Sequence, residues 1–165
     1  MSTGSWNMKS LRRALVLLFV VASCSGESAD DLFKKGEHAT HDVKTFTDAV
    51  KQLAAFLERF PDDPRADVAM QALARVYQAQ GSSDVAIVTY KELVARFPKS
   101  RYADQAQFMV GYIYDLSGDR EAAVKAYEAV IAKYPESSLS DDARISIKNI
   151  NKPLEAWIGS EGKSN

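Results

Sequence analysis

The sequence predicts an all-α protein, an α-solenoid of about three stacked helical hairpins with a C-terminal capping helix, spanning residues 30–150. Three observations lead there. The first is a register: Phe60-Pro61, Phe97-Pro98 and Tyr134-Pro135 recur every 37 residues. The same shift superposes Ala49, Ala86 and Ala123, then Leu53, Tyr90 and Tyr127, then Leu57, Val94 and Ile131, then Ala69, Ala106 and Ala143. A fixed period of this size marks a repeat architecture. The second is the helical spacing of apolar residues inside each unit, and the third is the absence of runs that alternate with period two.

Each helix then follows in order. The expected spans are 29–40, 44–60, 65–80, 83–97, 101–117, 119–134 and 138–150. Ile87, Tyr90, Leu93, Val94 and Phe97 form one apolar stripe, and Tyr102, Ala106, Met109, Val110 and Ile113 form another; both have the i, i+3, i+7 spacing of an amphipathic helix. Proline after Phe60, Phe97 and Tyr134 disfavours helical dihedrals at the preceding residue and ends three helices. Asp63, with Pro64 in the first turn, reads as an N-cap, and Ser100 and Ser137 occupy the matching positions. Gly81 and Gly118 supply left-handed stops between paired helices. A lone hairpin cannot bury its apolar stripe, so the pairs must stack.

Ahead of the repeat lies a different kind of segment. Lys9, Arg12 and Arg13 precede an eight-residue apolar run, 14–21. As a helix it would rise only about 12 Å, far short of the roughly 30 Å hydrocarbon layer, so it is expected to be a signal peptide over 1–23, with Met8 as a possible start. Val21-Ala22-Ser23-Cys24 resembles the lipobox of bacterial lipoproteins, which implies diacylglyceryl attachment at Cys24, the sole cysteine. A cut by ordinary signal peptidase, leaving a soluble periplasmic protein, and an incidental thiol in an uncleaved segment stay open as alternatives. Residues 24–29 then read as the lipidated cysteine and a short tether, and 151–165 as a C-terminal tail. Ser25, in place of aspartate, implies by the same resemblance the outer membrane, with the protein facing the periplasm.

The repeat itself resembles the tetratricopeptide repeat over about 30–150. In 103–135, Gly111 and Tyr114 match the small and aromatic residues of the first helix, Gly118 the turn, Ala123 the helix-crossing residue, Tyr127 its aromatic and Pro135 the closing proline. Ala74, Tyr77, Gly81, Ala86, Tyr90 and Pro98 repeat the pattern. The unit exceeds the family's usual length of about 34 residues by three, in the segments that follow each aromatic–proline pair. This variant is similar to that of cell-envelope members, including the lipoprotein of the outer-membrane β-barrel assembly machine and the periplasmic coordinator of the Tol–Pal system. The first unit fits less well, with one extra residue before Ala49, and Lys148 replaces the small residue in the last helix.

The resemblance implies that the first helix of each pair lines a concave, partner-binding face. Its inward positions are Val68, Gln71, Arg75 and Gln78, then Gln105, Phe108, Tyr112 and Asp115, with Ile145 and Asn149 on the cap. Amides and a cation can pair with peptide backbone, while aromatics bury apolar side chains, so other envelope proteins or their peptides are the expected partners. In a competing reading, Leu154-Glu-Ala-Trp157-Ile158 folds back onto Phe108 and Tyr112.

Other functions find little footing. Net charge is −1, and −4 once the three cations of the leader are removed, so no basic stripe remains for nucleic acid. His38 and His41 lie three apart, not at the metalloprotease spacing, and no third metal ligand is evident. Asp30-Asp31, Asp62-Asp63 and Asp141-Asp142 sit at helix starts, where carboxylates complement the helix dipole. No phosphate loop or catalytic triad is present, and neither enzyme activity nor a cofactor is expected. The function expected is a membrane-tethered scaffold of envelope assembly or maintenance. Self-association, or service as an accessory subunit, are the alternatives.

Overall fold

The computed structural model describes residues 26–150 and 152. Seven α-helices run through them: α1 (Ala29–Ala39), α2 (Phe46–Arg59), α3 (Ala66–Ala79), α4 (Ser83–Arg96), α5 (Ala103–Ser117), α6 (Arg120–Lys133) and α7 (Ser138–Ile150). One 3-10 turn, Val43–Thr45, precedes α2. Each helix packs on its neighbours in the chain, giving three antiparallel hairpins, α1–α2, α3–α4 and α5–α6, with α7 laid across the end. The predicted α-solenoid is therefore the observed fold, and no helix end departs from its expected position by more than two residues.

The hairpins close because a small residue on the first helix meets a large one on the second. A Cβ added at Gly111 would stand 2.7 Å from Tyr127 Cδ1, and one added at Gly36 would stand 2.7 Å from Leu53 Cγ. Ala74 and Tyr90, at the same stage of the middle hairpin, are both fully buried. The large partners Leu53, Tyr90 and Tyr127 are the residues superposed by the 37-residue shift. Burying a side chain of this size contributes about 1.5–3 kcal/mol, so the repeat register is also the register of the core.

The turns within hairpins differ for a reason visible in the sequence. Gly81 and Gly118 adopt left-handed φ of 76° and 81°. Around them Ser82 N donates to Tyr77 O at 2.9 Å and Asp119 N to Tyr114 O at 3.0 Å, the six-to-one bond of a Schellman motif. The first hairpin has no glycine there. Thr40 Oγ1 donates to Glu37 O at 2.7 Å, and Thr45 Oγ1 to both Ala39 O and Asp42 O at 2.8 Å. The extra residue of the first unit is thus absorbed in a threonine-capped loop.

The expected caps act slightly earlier than their sequence positions suggested. α3 and α5 begin after Arg65 and Tyr102, neither of which makes a side-chain cap. Asp63 Oδ1 instead accepts from Arg65 N at 2.9 Å, and Ser100 Oγ from Tyr102 N at 3.1 Å. Each closes a turn that delivers the chain to the helix, because Ala66 N and Ala103 N already bond to Asp63 O and Ser100 O. Pro64 therefore lies before α3 and not in its first turn. Ser137 directly precedes α7 and accepts from Leu139 N at 3.2 Å.

Candidate functional site

The first helices of the hairpins, with α7, carry all ten residues assigned to the concave face, but at very different depths. Val68 is half-buried on the cluster of Leu32, Phe33, Leu53, Phe56, Ala69 and Leu73. Gln71 is only 5% exposed; its Nε2 donates to Gln105 Oε1 at 3.1 Å, tying α3 to α5. Gln71 Oε1 is buried without a hydrogen-bond partner. Phe108 is half-buried against Tyr127, with ring centroids 5.1 Å apart and tilted by 52°, within the cluster that α7 covers. Val68 and Phe108 are therefore packed into the helix stack more than they are open to a partner.

The remaining positions divide between a cavity and an open strip. Arg75 lines a cavity of about 180 Å³ together with Thr40, His41, Phe46, Ala72, Val76 and Ala79. Its charge also reaches Tyr90, whose hydroxyl donates to Gln78 Oε1 at 3.3 Å. Burial pushes the Tyr90 phenol up to about 12, with Arg75 opposing the shift. Farther along, Gln105 is exposed and Tyr112 is 40% exposed, while Asp115 is half-buried beside it. Asp115 and Tyr112 both add to the upward shift that burial imposes on Tyr127, against a hydrogen bond from Ser146. Ile145 stands 57% exposed on α7, and Asn149 is half-buried. Amides lead the strip, and Tyr112 with Ile145 ends it.

His38 and His41 are exposed, and His41 lines the same cavity as Arg75, a neighbourhood that sequence spacing did not indicate. Among the described residues no group of three histidine, cysteine or acidic side chains is placed to hold a metal ion. Also among them, no helix is long and apolar enough to cross a membrane. Cys24, the leader and the segment Leu154–Ile158 fall outside the described residues.

Contacts between hairpins repeat as faithfully as the cores. Ser100 Oγ donates to Asp67 Oδ2 at 2.6 Å, and Ser137 Oγ to Asp104 Oδ2 at 2.6 Å. At the first junction the serine is replaced by Asp63 and the acceptor by Asp30. Arg65 bridges these two like charges, 2.9 Å from Asp63 Oδ1 and 2.7 Å from Asp30 Oδ1. Its hydrogen bonds hold the carboxyl of Asp63 below the ordinary range, and Lys34 followed by Arg65 does the same for Asp30. Two surface grooves of about 490 and 480 Å³ run along the same edge. Their ten lining positions, from Pro61 to Ser100 in one and Pro98 to Ser137 in the other, are related one for one by the 37-residue shift.

Stacked hairpins with small-to-aromatic crossings, glycine turns and an open strip along the first helices define a tetratricopeptide-type interaction scaffold. Solved structures agree on the fold. A tetratricopeptide repeat protein from Parabacteroides merdae is similar with a TM-score of 0.61 at 19% identity, covering 76% of this chain and 46% of that one. PcrH from Pseudomonas aeruginosa has a TM-score of 0.60 at 16% identity, covering 80% of this chain and 100% of that one. This chain thus spans about half the length of the Parabacteroides protein. No curated protein matches it in sequence. The family described as "YfiO: Outer membrane lipoprotein" matches residues 25–156, and the chain belongs to that family.

Proposed function

We propose that the protein is a lipid-anchored, non-catalytic docking scaffold of the outer membrane, held through Cys24 with its repeats in the periplasm, and that its concave strip takes a peptide segment of another envelope protein. The observation that carries this reading is the strip itself. At positions where a closed helical stack would bury apolar side chains, it presents Gln105, Tyr112 and Ile145 to solvent. Tyrosine is a frequent anchor in such contacts, and the exposed Gln105 amide can pair with peptide backbone beside it. Membership of an outer-membrane lipoprotein family supports the anchor and the envelope setting. The same kinship supports a role in outer-membrane protein assembly or envelope maintenance.

Tyr112→Ala is a cleaner probe than any change at Phe108, because Phe108 also packs on Tyr127. Affinity capture from detergent-solubilised membranes should recover a partner with the native chain and lose it with Tyr112→Ala at unchanged melting temperature. Equal recovery by both would remove the strip from the binding site. A second reading, self-association, is favoured by Ile145, which lies in the open where its repeat counterpart Phe108 is covered. Sedimentation of the chain from Ser25 onward tests it: a monomer at all concentrations rules it out.

A further inference from the structure

The two edges of the array are chemically and geometrically distinct, and only one of them is joined to the start of the repeat domain. At one edge lie the N-termini of α1, α3, α5 and α7, the C-termini of α2, α4 and α6, and the aromatic–proline loops between hairpins. At the other lie the turns at Thr40, Gly81 and Gly118. A helix of 14 residues, such as α3, separates them by about 21 Å.

The chain enters at the first edge and is fastened there. Glu27 O accepts from Arg59 NH2 at 2.8 Å, and Lys35 pairs with the Glu27 carboxylate. Ser28 and Asp31 then form a reciprocal capping box at the start of α1. Gly26 lies so close to the Arg59 guanidinium that an added Cβ would approach NH2 to 2.9 Å. Between this fixed point and Cys24 there is one residue, Ser25. A fully extended chain advances at most about 3.6 Å per residue, so Cys24 is held within about 7 Å of the edge.

We propose that this edge is a membrane-apposed surface: the aromatic–proline loops rest against the phospholipid headgroups, the helices stand upright on the bilayer, and the row of hairpins runs along it. The proposal rests on lipidation of Cys24. Acyl chains embedded in the bilayer bring the edge within about one Debye length of the headgroups. The loops present what an interface tolerates: exposed Pro61, Pro98 and Pro135 above half-buried Phe60, Phe97 and Tyr134. Acidic residues share the edge with Lys99, Arg101 and Lys133, so attachment comes from the short tether and not from net charge. The concave strip then faces sideways, parallel to the membrane, where it is open to segments that lie near the bilayer.

The test uses the full chain made in a bacterial host, so that the native thiol is consumed by the lipid and an introduced cysteine is unique. Lys99→Cys reports on the loop edge and Gln80→Cys on the opposite edge; both residues are exposed. Each is labelled with a fluorophore and reconstituted into phosphatidylethanolamine–phosphatidylglycerol vesicles containing a headgroup spin-label quencher. Quenching at Lys99→Cys should exceed that at Gln80→Cys several-fold, and ten Gly/Ser residues inserted between Ser25 and Gly26 should erase the difference. Equal quenching at the two edges, a reversed order, or indifference to the inserted linker overturns the orientation while leaving the anchor intact. Cys24→Ala should leave the chain free of the vesicles. If the native chain is equally free, lipidation fails and the orientation fails with it.

Discussion

Replacing Gly111 by alanine puts the helix-crossing argument to a quantitative test. In an open helix the change should stabilise by about 1 kcal/mol, because glycine carries a larger backbone entropy cost. Here the new methyl would lie 2.7 Å from both Cδ1 and Cε1 of Tyr127 and 3.0 Å from Cγ. Carbon pairs are most favourable at roughly 3.5–4.0 Å, so α5 and α6 must part or the ring must move. The ring is only 1% exposed and stacks on Phe108, which leaves it little freedom. Overpacking of this kind costs about 1–3 kcal/mol, so the net destabilisation is expected at about 0–2 kcal/mol. For an ordered region of this size that lowers Tm by up to about 8 °C. Urea unfolding of Gly111→Ala, Tyr127→Ala and the double variant supplies the decisive number. Leucine at 127 would not serve, because Leu53 opposite Gly36 leaves an added Cβ equally little room, whereas alanine removes every ring atom that the new methyl would meet. The double variant should therefore be about 1 kcal/mol more stable than additivity allows. A stabilised Gly111→Ala, or additivity within about 0.5 kcal/mol, would refute the reasoning.

Three further outcomes follow from the contacts between and within hairpins. Ser137→Ala removes the 2.6 Å donation to Asp104 and the acceptor for Leu139 N, and should cost about 1–2 kcal/mol in urea unfolding, with a cycle against Asp104→Asn showing coupling between the two. Tyr90 is a neutral phenol whose folded value is raised by burial, so its contribution is complete below pH of about 10 and is lost as pH rises toward 12. Alkaline unfolding watched by circular dichroism should accordingly be shallower in Tyr90→Phe, and an identical profile would contradict it. Asp63 is held low by hydrogen bonds from Arg65, and Asp30 by hydrogen bonds from Lys34 and then Arg65, so their contribution is present above the ordinary carboxylate value and fades as pH falls through the depressed one. The Tm gap between the native chain and Arg65→Met should thus be widest near pH 6 and shrink below pH of about 4; a gap constant down to pH 2 would speak against the bridge.

The sequence carried the fold because one register encodes both the helices and the cores: Leu53, Tyr90 and Tyr127 are visible as a repeat and are also the buried crossings. Depth along the concave face was not legible in the same way. Gln71, Phe108 and Ile145 share one repeat position, yet they are buried, half-buried and exposed in turn. Periodicity reports which side of a helix a residue is on, whereas burial depends on how many hairpins follow it. The fastening of neighbouring hairpins was spelled out by Ser100 and Ser137, each 33 residues after its aspartate, but a serine before a helix is equally the mark of a cap. Ser137 serves as both, while Ser100 closes the turn ahead of its helix. The Arg65 bridge had no such signature, because it compensates for Asp63, a second carboxylate where the later junctions have serine.

The serine–aspartate fastening also makes the array a lattice with a defined unit cell. Asp141 on α7 stands one period beyond Asp104, exposed, and so offers the acceptor half of one more junction. A duplicated stretch of 101–137 inserted after Ser137 would bring its own aspartate and serine in register and so repeat the serine–aspartate junction. The length of such a chain can change by whole units of 37 residues with the junction chemistry kept, whereas a single extra residue, as in the first unit, has to be absorbed in a turn.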